Sequence, residues 1–304
     1  MDQSLFRILL FLPVLAWAPA LSAQEIPGDS TVAMTPAMSV SLFSGTNWIK
    51  ASVGYDYSFL GDLNNSSKNY VNYFSAIGGA APDTAAAKTG NGSLKENLEL
   101  GLDLDPDNKL SVEVENIASP TLGWSESNGS TVQQSLSVDP NLISTTLNYS
   151  RVLLKQAWGR TLFLVGAGYY HADVNMTNTG SFAAGPTVTG DFTGDIFGGT
   201  LGVGQIVKLG DRFGLECSVK ARYADFSEVT ANNTSPSNAN AYPGPYHLVV
   251  VQNKNNPFTS TFPGNTDFLT WTSQQWMDQH PGLFRAADVD YSGISGDISL
   301  SYYF

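Results

Sequence analysis

Six charged residues stand out because their types and spacing let them answer one another. Glu99, Glu113 and Glu115 fall on two consecutive segments in which polar residues alternate with Leu and Val. They would lie side by side on one face, where like charges destabilise strand pairing unless cations compensate. Lys220 and Arg222 stand two apart on the polar phase of a later segment, a spacing that keeps both on one face of a strand. Asp297 holds the polar phase of the last segment, within reach of Lys220. The chemistry expected is an internal salt-bridge network. The competing reading leaves these charges scattered and hydrated, but an unpaired charge in a confined interior is costly, which favours the network.

Other reactive residue types form no comparable pattern. His171 shares a strand phase with Asp173, and the pair reads as polar residues at a rim; His247 and His280 fall in a long connection. Asp288 and Asp290 could bind a divalent cation, but read as solvated rim carboxylates. Cys217 is the only cysteine, so no intramolecular disulfide forms, and it sits on an apolar phase as an inert side chain. There is no metal-ligand, phosphate-loop or nucleophile motif. No catalytic residue, metal or cofactor is therefore expected, and the chain does not read as an enzyme.

The elements that carry these residues are strands, because period-2 alternation recurs along the chain while helical periodicity is scarce. Eight segments are expected: 48–57, 98–104, 110–117, 143–150, 162–170, 196–207, 213–226 and 294–304. Their polar phases hold Lys50, Ser52, Gly54 and Asp56 in the first and Gly214, Glu216, Ser218, Lys220 and Arg222 in the seventh. Tight or short connections alternate with long ones near 58–97, 118–141, 171–195 and 227–288, so the long ones share one rim. A membrane-spanning up-and-down barrel has this asymmetry and keeps both termini on the short-turn side. The fold class expected is all-β, a transmembrane antiparallel barrel of about eight strands. Ten follow if Tyr246 to Gln252 and Phe258 to Phe262 form a further wall hairpin, although Pro243, Pro245, Pro257 and Pro263 crowd that segment.

Arg7, the apolar run from Ile8 to Ala18 and the small residues ending at Ala23 read as an export signal over residues 1–23. Residues 24–47 then form a lead without clear pattern, and 48–304 the barrel. Past Ala18 no apolar run approaches the roughly 20 residues of a spanning helix. The formal charge of −12 argues against nucleic acid as a partner.

The chain ends on Ile298, Leu300, Tyr302 and Phe304, with serines at 299 and 301. This segment resembles the C-terminal signature of bacterial outer-membrane proteins, in which alternate hydrophobic residues precede a terminal Phe. The body, 48–304, is similar to the small eight-stranded class that includes the OmpA membrane domain, OmpX and the Opa-type adhesins. Val165 to Tyr169 and Ala221 to Phe226 resemble strand segments common there. The resemblance implies residence in the outer membrane among lipid and lipopolysaccharide, recognition of the last strand by the barrel-assembly machinery, and a lumen plugged by charges. The function expected is structural, adhesive or binding, through loops that meet a host or surface ligand. A small porin is the first alternative and a lipid-A-modifying enzyme the second.

Overall fold

The computed structural model describes residues 47–65, 90–127, 133–179, 188–231, 234–235, 245–252 and 268–304. The expected export signal (1–23) and most of the lead (24–47) lie outside these residues, as does 258–262. In chain order the elements are β1 (Asn47–Ser58), β2 (Gly92–Asp103), β3 (Asn108–Ala118), β4 (Leu122–Ser127), β5 (Gln133–Gln156), β6 (Gly159–Thr179), β7 (Val188–Lys208) and β8 (Phe213–Tyr223). There follow β9 (Asp225–Phe226), β10 (Thr230–Ala231), β11 (Thr234–Ser235), β12 (Tyr246–Val251), β13 (Phe268–Ser273), the helix α1 (Gln274–Gln279), β14 (Phe284–Ala286), β15 (Val289–Asp290) and β16 (Gly293–Tyr303).

Eight of these close on themselves. β1, β2, β3, β5, β6, β7, β8 and β16 pair antiparallel in that order, and β16 pairs back onto β1. Closure leaves no wall strand with a bare edge, which is what an open sheet of this size would otherwise expose. The turns 104–107, 157–158 and 209–212 lie on one rim. The two ends of the ring meet there as well, since the Phe304 amide donates to the Asn47 carbonyl at 3.0 Å.

The segment 246–251 is a strand, but it joins no second wall hairpin. β12 pairs with β10, β13 and β14 above the ring, and the wall keeps eight strands. The bounds of five expected strands need correction. β5, β6 and β7 run on through much of what reads as loops at 118–141 and 171–195, and β2 begins at Gly92 rather than 98. In β5, β6 and β7 the cause is an inversion of phase. Within the wall the apolar residues point out, but above it Leu136, Val138, Leu142, Ala172, Val174, Met176 and Phe192 point in and are buried. Where the phase inverts, the simple alternation breaks, and a continuous strand looks finished. The seventh strand likewise stops at Tyr223, because Ala224 and Phe226 turn into the buried upper core.

Candidate functional site

Looking along the barrel axis, the inward residues form three zones. At the short-turn end Trp48, Val152, Leu162, Ile206 and Tyr303 make an apolar floor. The Lys109 ammonium lies over both rings, 5.4 Å from the Trp48 centroid and 5.1 Å from that of Tyr303. At the opposite end the inward residues of β5, β6 and β7 join Leu60, Leu63, Phe226, Leu248, Val289 and Tyr291 in a larger apolar core. Between the two lies a zone in which nearly every inward residue is polar, and in which Lys50, Asp56, Lys95, Glu99, Glu113, Glu115, Glu216, Lys220, Arg222 and Asp297 are all buried.

The six residues singled out by sequence all enter this zone, and the structure adds four more. Lys220 Nζ meets Glu113 at 2.7 Å across the lumen, from β8 to β3. Arg222 meets Glu115 at 3.1 Å and also Asp56 at 2.9 Å, and its Nε and Nη2 donate to the Tyr291 carbonyl. Glu99 stands directly opposite Glu113 in the β2–β3 register, the like-charge neighbours expected from sequence. Each carboxylate has its own cation, since Lys50, directly across from Glu99 on β1, reaches it at 2.5 Å. Lys50 also meets Glu216 at 3.2 Å.

Asp297 pairs with Lys95 at 3.2 Å and not with Lys220, the partner that sequence suggests. Lys95 on β2 and Asp297 on β16 flank β1 from opposite sides, and the residue between them is Gly54. A Cβ there would stand 2.3 Å from Asp297 Oδ1, so the glycine is the opening through which the pair meets. Lys95 reaches Glu115 as well, at 2.6 Å. The four added residues, Lys50, Asp56, Lys95 and Glu216, carried a signal in sequence. Lys50, Asp56 and Glu216 share the polar phase of their strands, and Lys95 continues the phase of Asn97 and Glu99 once β2 is extended.

The outer face inverts the usual arrangement of a folded protein. Val53, Leu94, Leu98, Leu100, Leu147, Leu201, Ile298 and Leu300 are exposed, Leu94 by 71% and Phe197 by 83%. Aromatic residues bound this apolar belt: Phe213, Tyr302 and Phe304 near the short turns, and Tyr55, Tyr57, Tyr169 and Tyr223 at the other edge. From Phe213 to Tyr223 is ten residues, about 33 Å along a strand and about 25 Å along the axis at a tilt near 40°. That is the height of a bilayer's apolar band. The chain has the architecture of a small eight-stranded membrane-spanning barrel, a closed antiparallel ring with its apolar face outward. Cys217 takes its place on the lipid-facing side of this barrel.

No family model and no curated protein matches the chain. Among solved structures it is similar to Ail, the attachment invasion locus protein of Yersinia pestis, at 10% identity, covering 85% of this chain and 99% of that one with a TM-score of 0.33. OprG of Pseudomonas aeruginosa gives 11% identity, 87% and 98% coverage and a TM-score of 0.36. The outer membrane protease OmpT of Escherichia coli gives 9%, 90%, 99% and 0.32. The class of this barrel follows from its closed ring and its inverted burial.

Of the remaining sequence candidates, His171 faces outward at the upper aromatic edge. Its Nδ1 lies 2.6 Å from Asp195, the residue opposite it on β7, and Tyr169 donates to the same carboxylate. Asp173, which sequence places with His171, hydrogen-bonds Asn175 instead. Nδ1 of His247 meets Glu228 at 2.9 Å, and the His280 ring packs 4.1 Å from that of Trp276. Among the described residues no cluster of His, Cys, Asp and Glu has the arrangement of a metal site.

Proposed function

We propose that the protein is an integral barrel of the bacterial outer membrane, exported by the signal over residues 1–23, that serves a structural and binding role and does not conduct solutes. The observation that carries this reading is the mutual pairing of the lumen charges between two apolar zones. A water-filled pore needs polar groups that face solvent, whereas here each cation of the middle zone already holds one or more carboxylates. With the lumen occupied, the surfaces left for recognition are the lipid belt and the long-loop side. Outer-membrane lipid and lipopolysaccharide are the partners of the belt, a host or surface ligand is the partner of the loops, and the barrel-assembly machinery reads the last strand.

Single-channel recording in planar bilayers tests this. Silence at moderate voltage is expected, and steady conductance would favour the small porin. The lipid-A-modifying alternative has the His171–Asp195 pair at the membrane edge to draw on. Mass spectra of lipid A from cells with and without the protein should be identical if that pair is not catalytic.

A further inference from the structure

The outward face of β2 reads Leu102, Leu100, Leu98, Glu96 and Leu94, and all five are exposed. A carboxylate thus stands in a row of leucines on the surface that meets lipid. Directly across from it on β3 is Asn116, also exposed, with Val114 and Ala118 to either side of it on the same face. Neither Glu96 nor Asn116 makes a hydrogen bond or an ion pair among the described residues. Ionisable and amide groups are costly on a lipid-facing surface, so an unsatisfied pair of them calls for a partner.

Glu96 lies inside the belt and not at its polar margin. The Tyr55 hydroxyl reaches over Gly92, where an added Cβ would overlap it, and the Tyr57 hydroxyl accepts from the Asn91 amide at 2.6 Å. Tyrosine hydroxyls of an aromatic girdle sit at headgroup level, which places that level beside residues 91 and 92. Glu96 is four residues below it, about 13 Å along the strand and about 10 Å along the axis at a tilt near 40°. Leu94, 71% exposed, fills the step between. A lysine or arginine has the stem to reach the headgroups from there; a glutamate does not.

We propose that the outward face of β2 and β3 is where two copies of this barrel associate within the membrane, Glu96 of each meeting Asn116 of the partner subunit. Copies inserted in one membrane share an orientation, so a closed pair is related by a twofold axis along the membrane normal. An axis passing between β2 and β3 sets β2 of one copy against β3 of the other. Because Glu96 and Asn116 share a register position, each carboxylate then faces an amide that can donate to it, and both contacts form without a third component. Leu98 and Val114 share the next outward position below and bring apolar surface together under the polar contact. A lipid phosphate fits this place poorly, since it would meet a like charge. The inference rests on the membrane-spanning reading above and adds a second copy to the lipid that surrounds the belt.

Energy transfer between copies of the full chain in phosphatidylcholine vesicles tests this. Donor and acceptor dyes go on Cys217, which is exposed on β8 and separated from β2 by β1 and β16, so the labels stay off the proposed face. Wild type should show transfer above random encounter, lost only as added lipid dilutes the barrels. Glu96→Leu and Asn116→Leu, which suit lipid and should keep heat-modifiable migration, should dissociate at about one tenth of that lipid or less, the loss of two hydrogen bonds in an apolar medium. The exchanged variant Glu96→Asn with Asn116→Glu restores the same contacts under the twofold and should recover the transfer. Inserted wild type that is monomeric, a Glu96→Leu variant that associates as wild type does, or an exchanged variant that fails to recover each overturns the proposal. So does wild-type monomer that retains added phosphatidylethanolamine where Glu96→Leu does not, since the pair would then hold a lipid amine. A chain that does not insert overturns the membrane reading and this inference with it, whereas inserted monomers overturn this inference alone.

Discussion

Arg222 shows how much one side chain organises. It holds Asp56, Glu115 and the carbonyl of Tyr291 at once, so it joins three wall strands and the segment that enters β16. Removing one member of a buried pair leaves the other poorly solvated and costs about 3–5 kcal/mol, more than the pair itself contributes. Lys220→Ala and Arg222→Ala should each lower the unfolding free energy in urea by that order. Glu113→Lys combined with Lys220→Glu should recover part of the loss, because these two meet at 2.7 Å; a double mutant no better than the sum of its singles would break the assignment. Gly54→Ala is the sharper probe, since a methyl there collides with Asp297 Oδ1 at 2.3 Å and the Gly296 carbonyl at 2.5 Å. It should cost about 1–3 kcal/mol, a large effect for one methyl. Stability equal to wild type would mean that Lys95 and Asp297 do not meet over this residue.

Among the elements, β16 closes the ring by pairing with β1 on one side and β8 on the other. Its outward residues Ile298 and Leu300 are exposed to lipid, and Tyr302 packs near Phe213 and Phe304, with centroids 5.2 and 6.3 Å away. Phe304 itself is 60% exposed and lends little to packing. Deleting Phe304 should therefore leave the intrinsic stability of refolded barrel nearly unchanged while reducing the amount assembled in cells, as expected of an assembly signal at Ile298, Leu300, Tyr302 and Phe304. Surface levels and heat-modifiable gel migration measure this, and normal values for both would contradict it.

For the whole molecule, the expected silence in bilayers depends on both apolar ends as well as the charges between them. Trp48 is the floor's largest member, and its ring covers Gly101 on the neighbouring strand. Trp48→Ala should open the floor without touching an ion pair. The paired charges still fill the lumen of that variant, so it stays silent; brief openings are expected only from Trp48→Ala combined with Arg222→Ala. Conductance of that double variant equal to wild type would show that the upper core is sufficient by itself.

The alternation of Leu98, Leu100 and Leu102 with Glu99 and Gly101 by itself determined strands, and the placement of short and long connections determined a barrel of about eight, with ten left open until the ring was seen to close without β12. It determined the face shared by Glu99, Glu113 and Glu115 and the face shared by Lys220 and Arg222, because strand phase is a local property. Alternation is blind to direction, however: apolar-out and apolar-in give the same string, so the inversion that extends β5, β6 and β7 could not be read from Ala172, Val174 and Met176 alone. Partners across the ring were equally hidden. Whether Asp297 meets Lys220 or Lys95 depends on the stagger at which the sheet closes, and on the gap that Gly54 leaves between β2 and β16. Closure brings together residues some 200 positions apart, as it does Lys95 and Asp297, and only the three-dimensional ring sets which of them touch.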